Sequence, residues 1–127
     1  MTEPVPTLDV SLRPEHVAAA AIATDRFYAE IPEIAERYGA RGREYAEHDH
    51  AYIFAWAVDA VAFDTPELFE RNALWLHSVL TSRGFPHAWF VHTLELVQLV
   101  AVEQGLLSEA DAARVVGDVI PRLPAMS

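Results

Sequence analysis

The sequence predicts an all-α domain of four long helices with shorter ones at its ends. Three observations carry that expectation. Apolar residues recur at helical spacing through most of the chain, and proline marks several helix starts while glycine marks the stops. No segment sustains the alternation or the hairpin turn chemistry of strands. Two packings fit the pattern: a four-helix bundle with short connections, or a globin-like orthogonal arrangement of about six helices.

Taken in order, residues 1–13 carry Pro4 and Pro6 without periodicity and are expected to form an irregular N-terminal arm. Residues 14–127 make a single helical domain. Pro14 sits where a first helical residue needs no N–H, and the alanine-rich stretch 17–31 continues the helix. Pro32 interrupts it. Residues 33–38 should form a short turn ended by Gly39, and 39–42 a loop. The second long helix then spans 43–63, and its second half is apolar on every side except at Asp59. Such a segment belongs in the middle of a fold or in an oligomer interface.

Thr65, Pro66 and Glu67 signal a third helix with Thr65 as its cap. It carries Leu68, Phe69, Trp75, Leu76, Val79 and Leu80 on one stripe and stops at Gly84. Pro86 and His87 open a fourth helix that runs to Gln104, with Trp89, Phe90, Leu94, Val97, Val100 and Ala101 inward. Ser108 with Asp111 resembles a capping box for a last helix over 109–120, ended by Pro121. Residues 124–127 form a tail.

Composition narrows the function classes. At 127 residues there is room for one core, and 52% hydrophobic residues are enough to build it. The absence of cysteine removes disulfides, thiolate metal sites and cysteine nucleophiles. Nineteen acids against nine bases give a net charge of −10, which argues against nucleic acid and anionic membranes as partners. The first residues lack a basic n-region and apolar core, and no apolar run approaches the ~20 residues of a membrane span. A cytoplasmic location is the expectation.

The histidines at 16, 48, 50, 77, 87 and 92 are the first candidates for chemistry. No two stand four apart, and His87 and His92 lie about 140° apart around a helix, so spacing supports no metal site. Surface or capping roles are expected for most. Axial ligation of a tetrapyrrole needs only one imidazole. His92, at the edge of the fourth helix's apolar face, is the first candidate for that cofactor, and His50 the second. The alternative for such a histidine is a hydrogen-bonded core residue. No cofactor is predicted outright.

Along the second helix Tyr45, Asp49, Tyr52, Trp56, Asp59 and Phe63 share one face. With Trp75, Trp89 and Phe90 they are the candidate wall of a ligand pocket, in which Asp49 or Asp59 orients a small apolar or aromatic guest with a polar or cationic end. The plainer reading packs the stripe against a neighbouring helix, with Asp59 neutralised by Arg26 or Arg71. No phosphate loop, nucleophile elbow or supported acid–base pair is present, so no catalytic residue is assigned.

A longer pattern runs through residues 36–100: Arg37 to Arg43, Asp49, Phe54, Trp56, Thr65 to Phe69, Leu74, Trp75, Leu80, Ser82 to Gly84 and Leu94 to Leu96. It resembles the helical N-terminal domain that precedes cobalamin-binding modules in bacterial regulators and, more distantly, stressosome-type helical sensor domains. The family's usual histidine and tyrosine are replaced by Ile53 and Asn72, and the Asp-x-His-x-x-Gly cobalamin signature is missing. The resemblance implies a regulatory or sensor domain without cobalamin. The leading expectation is therefore a non-enzymatic small-ligand-binding sensor. The alternatives are a globin-like tetrapyrrole protein, a dimeric module or one with a regulatory protein partner, and a small enzyme using an aspartate in an aromatic pocket.

Overall fold

A computed structural model describes residues 12–125, and over that span the chain is helical. The helices are α1 (Pro14–Glu30), α2 (Glu33–Ala62), α3 (Pro66–Ser82), α4 (His87–Glu103) and α5 (Glu109–Val115), followed by a 3-10 helix at Gly117–Arg122. No strand occurs among the described residues. The arm expected over 1–13 lies outside the described residues except for Leu12 and Arg13, which lead into α1 in non-helical conformation, and Met126 and Ser127 of the tail lie outside them too.

Pro14 opens α1 as expected, and the backbone N–H of Arg13 donates to Nδ1 of His16 across 3.4 Å. Ala19, Ala20, Ala23, Thr24 and Phe27 form the buried face. The small alanine and threonine side chains let α1 lie close to α2, its main neighbour, while α4 packs along α1 as well. α2 in turn carries α3, and α5 seals the end of the domain against α2, α3 and α4. The centre is filled by Ile53, Phe54, Phe69, Phe90, Leu94, Val97 and Val100, all at most 1% exposed. No helix among the described residues is long and apolar enough to cross a membrane.

Three local expectations are corrected. The loop expected over 39–42 is a single residue: Gly39 leaves helical geometry (φ 63°, ψ −157°) and the helix resumes at once. That conformation is essentially restricted to glycine, so one residue suffices to redirect the chain. Gly42 then permits the close approach of the two pieces, because a Cβ there would stand 2.2 Å from the Cβ of Tyr38. Thr65 does not cap α3. Its ψ of 67° is far from the extended value of 162° at Ser108, whose hydroxyl does accept from Asp111 N–H at 3.1 Å, and the Thr65 hydroxyl is buried without a partner among the described residues. The last helix ends at Val115 rather than 120 and tightens into the 3-10 form. Pro121 has no N–H to complete an α-helical bond to Gly117, which favours the tighter winding.

Gly39→Ala places a Cβ in open space but in a forbidden conformation. Urea unfolding should therefore show a loss of about 1–3 kcal/mol. An unchanged midpoint would mean that the kink is not held as described.

Candidate functional site

Polar groups meet inside this apolar frame at a few places, and His50 is the most enclosed of them. It stands on α2 and is 3% exposed. Its Nδ1 lies 2.7 Å from the hydroxyl of Thr24 on α1, and its Nε2 lies 3.4 Å from that of Thr93 on α4. A hydroxyl both donates and accepts, so both ring nitrogens are satisfied in either tautomer. The edge of Phe27 closes the ring's side at a centroid distance of 5.5 Å. Burial lowers the pKa of His50 to about 4, and the ring is neutral at physiological pH. This is the hydrogen-bonded core histidine of the sequence reading. The surface or capping role expected for most histidines is corrected here and at His77, which is 1% exposed, whereas His48 is exposed and His16 caps α1.

His92 flanks the same Phe27 from another side, stacked at 6.2 Å, and its Nε2–H donates to Glu30 Oε1 at 2.6 Å. The two imidazoles considered for a tetrapyrrole thus bracket one buried phenyl ring and both hold protein partners.

The stripe on α2 lies at the surface of the fold. Tyr45 is 60% exposed, with the Arg41 guanidinium 5.9 Å from its ring centre. Asp49 accepts a hydrogen bond from His48 Nδ1 at 3.3 Å, while desolvation raises its pKa. Tyr52 sits 4.9 Å from the His48 ring and 6.5 Å from Trp56, and both Tyr52 and Trp56 are half-buried. One helical turn further, Asp59 has an Oδ2 atom that is buried with no hydrogen-bond partner among the described residues. Desolvation raises its pKa, and the opposing influences come from His16 and Arg13 at the start of α1.

Neither arginine expected to neutralise Asp59 does so: Arg26 is engaged with Glu103 on α4 at 2.7 Å, and Arg71 is not among the charges acting on Asp59. The side chains of His16 and Arg13 became neighbours of Asp59 only through the α1–α2 contact, which residue spacing does not reveal.

The remaining candidates separate from this stripe. Trp89 meets Phe85 edge-on at 5.7 Å and Tyr38 at 6.4 Å, beneath Arg37, whose guanidinium lies 5.8 Å from the indole and donates to the Gly84 carbonyl at 2.9 Å. Phe90 is fully buried with its ring 5.3 Å from His77, and Trp75 packs half-buried against the core. Among the described residues no ring contact joins these groups to Tyr52 and Trp56. A further polar pair went unforeseen: His77 Nε2 lies 2.9 Å from His87 Nδ1. No group of three or more histidine or acidic side chains among the described residues is arranged to hold a metal ion.

The arrangement therefore offers a semi-exposed aromatic strip ending in a carboxylate oxygen with unused hydrogen-bonding capacity. A carboxylate oxygen in that state retains the capacity to accept a hydrogen bond. No family model matches the chain, and neither a curated protein nor a solved structure matches it.

Two titrations follow. The His50 pKa falls from 6.5 unfolded to about 4 folded, so its contribution to stability is complete above pH 6.5 and is lost as the pH falls toward 4. That difference corresponds to roughly 3 kcal/mol. Urea midpoints measured from pH 7.5 to pH 4 should fall across that window, and His50→Gln should remove that part of the slope. Asp59 works in the opposite sense, because its carboxyl is raised and its ionised form opposes folding. Asp59→Asn should increase the melting temperature at pH 7, and a decrease would show that the carboxylate is satisfied after all.

Proposed function

We propose that this chain is a non-enzymatic binding and regulatory module that takes up a guest along α2, between Asp49 and Asp59. The observation that carries this reading is the buried, unpartnered Oδ2 of Asp59 at the end of the Tyr52–Trp56 strip. Leaving such an atom unsatisfied is costly, and a purely structural helix face is served as well by an alanine. A guest with an apolar or aromatic body would cover the half-buried rings of Tyr52 and Trp56, while a donor or cationic end reached Asp59. The net charge of −10 favours a cationic end. A regulatory role is also what the resemblance of residues 36–100 implies.

A second reading makes the guest a regulatory protein. It is favoured by Tyr45 and Phe63, each 60% exposed at opposite ends of the same face. Tyrosine and tryptophan are enriched at the centres of such contacts.

Native mass spectrometry and an absorbance spectrum of the protein from its own host distinguish the readings. A small-molecule adduct that is retained by the wild type and lost in Trp56→Ala supports the first, and a second polypeptide lost in the same variant supports the second. Tryptophan emission should report binding directly, with affinity falling by about tenfold or more in Asp59→Asn if a charged donor is bound. A bare chain, or an adduct indifferent to both substitutions, would refute the α2 site.

A further inference from the structure

We propose that the corner at Gly39 is the hinge of a domain-swapped dimer, in which α2 straightens and α1, with residues 33–38, packs on a second copy of this chain. Helix lies on both sides of that one residue, and only Gly39 departs from helical geometry between Glu33 and Ala62 (φ 63°, ψ −157°). Turning Gly39 alone into the right-handed helical region makes α2 one straight rod of 30 residues, about 45 Å long. The segment ahead of the hinge then leaves its own chain, because a rod cannot fold back on itself.

The attachments that this segment makes past the corner are of a kind that a partner can supply unchanged. Asp25 pairs with Arg43, Arg26 with Glu103 at 2.7 Å, and Glu30 accepts from His92 at 2.6 Å. Thr24 reaches His50 at 2.7 Å, Arg37 donates to the Gly84 carbonyl at 2.9 Å, and Ile34 is buried in the core. Exchange of an identical element keeps all of these. The two forms then differ only at the corner, in the new contact between copies and in the entropy of association.

The corner itself favours opening. It interrupts the i to i−4 backbone bonds that a straight helix carries through, and a one-residue connection leaves no slack. Gly42 is required by the closed form, where a Cβ would collide with that of Tyr38, whereas in a straight helix positions 38 and 42 stand about 5–6 Å apart. Gly39 and Gly42, three apart and on one face of the rod, leave room for the partner's α2 where the two cross. Each Asp59 would then lie in the field of the partner's His16 and Arg13, so the strip on α2 is completed by two chains.

The test begins with Gly39→Ala. Alanine opposes the closed corner and favours a helix interior, and both corners of a pair contribute, so sedimentation should show the dimer association constant rising about a hundredfold or more. The loss of stability expected of this variant belongs to the dilute monomer. Exchange is read by adding Arg26→Lys, which supplies the only lysine of the chain. A zero-length carbodiimide then joins position 26 to Glu103, its ion-pair partner. In a swapped dimer that link connects two chains and survives denaturation as a covalent pair, whereas in a dimer of unexchanged copies it stays within one chain. Should Gly39→Ala fail to fold, the Arg26→Lys chain refolded from urea at about 1 mM, near the effective concentration of a short tether, takes its place, and part of it should carry the link between chains. A Gly39→Ala chain that stays monomeric at every concentration, a dimer linked only within chains, or, where that variant does not fold, refolded protein without the interchain link each overturns the hinge.

Discussion

The neutral imidazole of His50 is the interaction on which the arrangement of the long helices depends. It sits on α2 and is held by a hydroxyl from α1 and another from α4, with Phe27 against its flank. The seam joins two helices that both bury alanines, Ala19, Ala20 and Ala23 on α1 and Ala51, Ala55 and Ala57 on α2. Alanine allows close approach but removes little apolar surface per residue, so such a seam is tolerant of sliding. A polar group that must find two partners is not tolerant. Displacing α1 or α4 strands a ring nitrogen in the interior, and the desolvation penalty of that atom selects one alignment.

Two titratable groups on α2, nine residues and about two and a half turns apart, differ in kind. His50 has a hydrogen-bond partner at each nitrogen, whereas Asp59 keeps a buried oxygen without one. The first contributes to stability at neutral pH and the second opposes it. Ion pairs of the surface, such as Arg26 with Glu103 and Arg43 with Asp25, connect α1 to its neighbours. Half-exposed in water, they contribute little to the choice of fold.

The corner at Gly39 shows how a short segment can organise a distant turn. Residues 33–38 fold back so that Ile34 enters the core and Arg37 reaches the carbonyl of Gly84, 47 positions further along the chain. Tyr38, Phe85 and Trp89 gather beneath that arginine. The α3–α4 turn is thereby tied to the start of α2, and this fixes where the fourth helix, with His87 and His92, begins.

What the sequence determined by itself is local. The all-α class, the starts at Pro14 and Pro66, the Ser108 cap and the inward face of α4 follow from dihedral restrictions and a period of 3.6 residues, which act over a few neighbours. The stripe from Tyr45 to Asp59 was legible for the same reason. Tertiary structure alone decided that this stripe faces outward, that Asp59 lies in the field of His16 and Arg13 rather than beside Arg26, and that His50 finds Thr24 and Thr93. It also brought His77 against His87 and sorted Trp89 and Phe90 into clusters of their own. Each of those encounters joins different helices or a helix to a turn, and periodicity within one helix holds no information about which face of another will be laid against it.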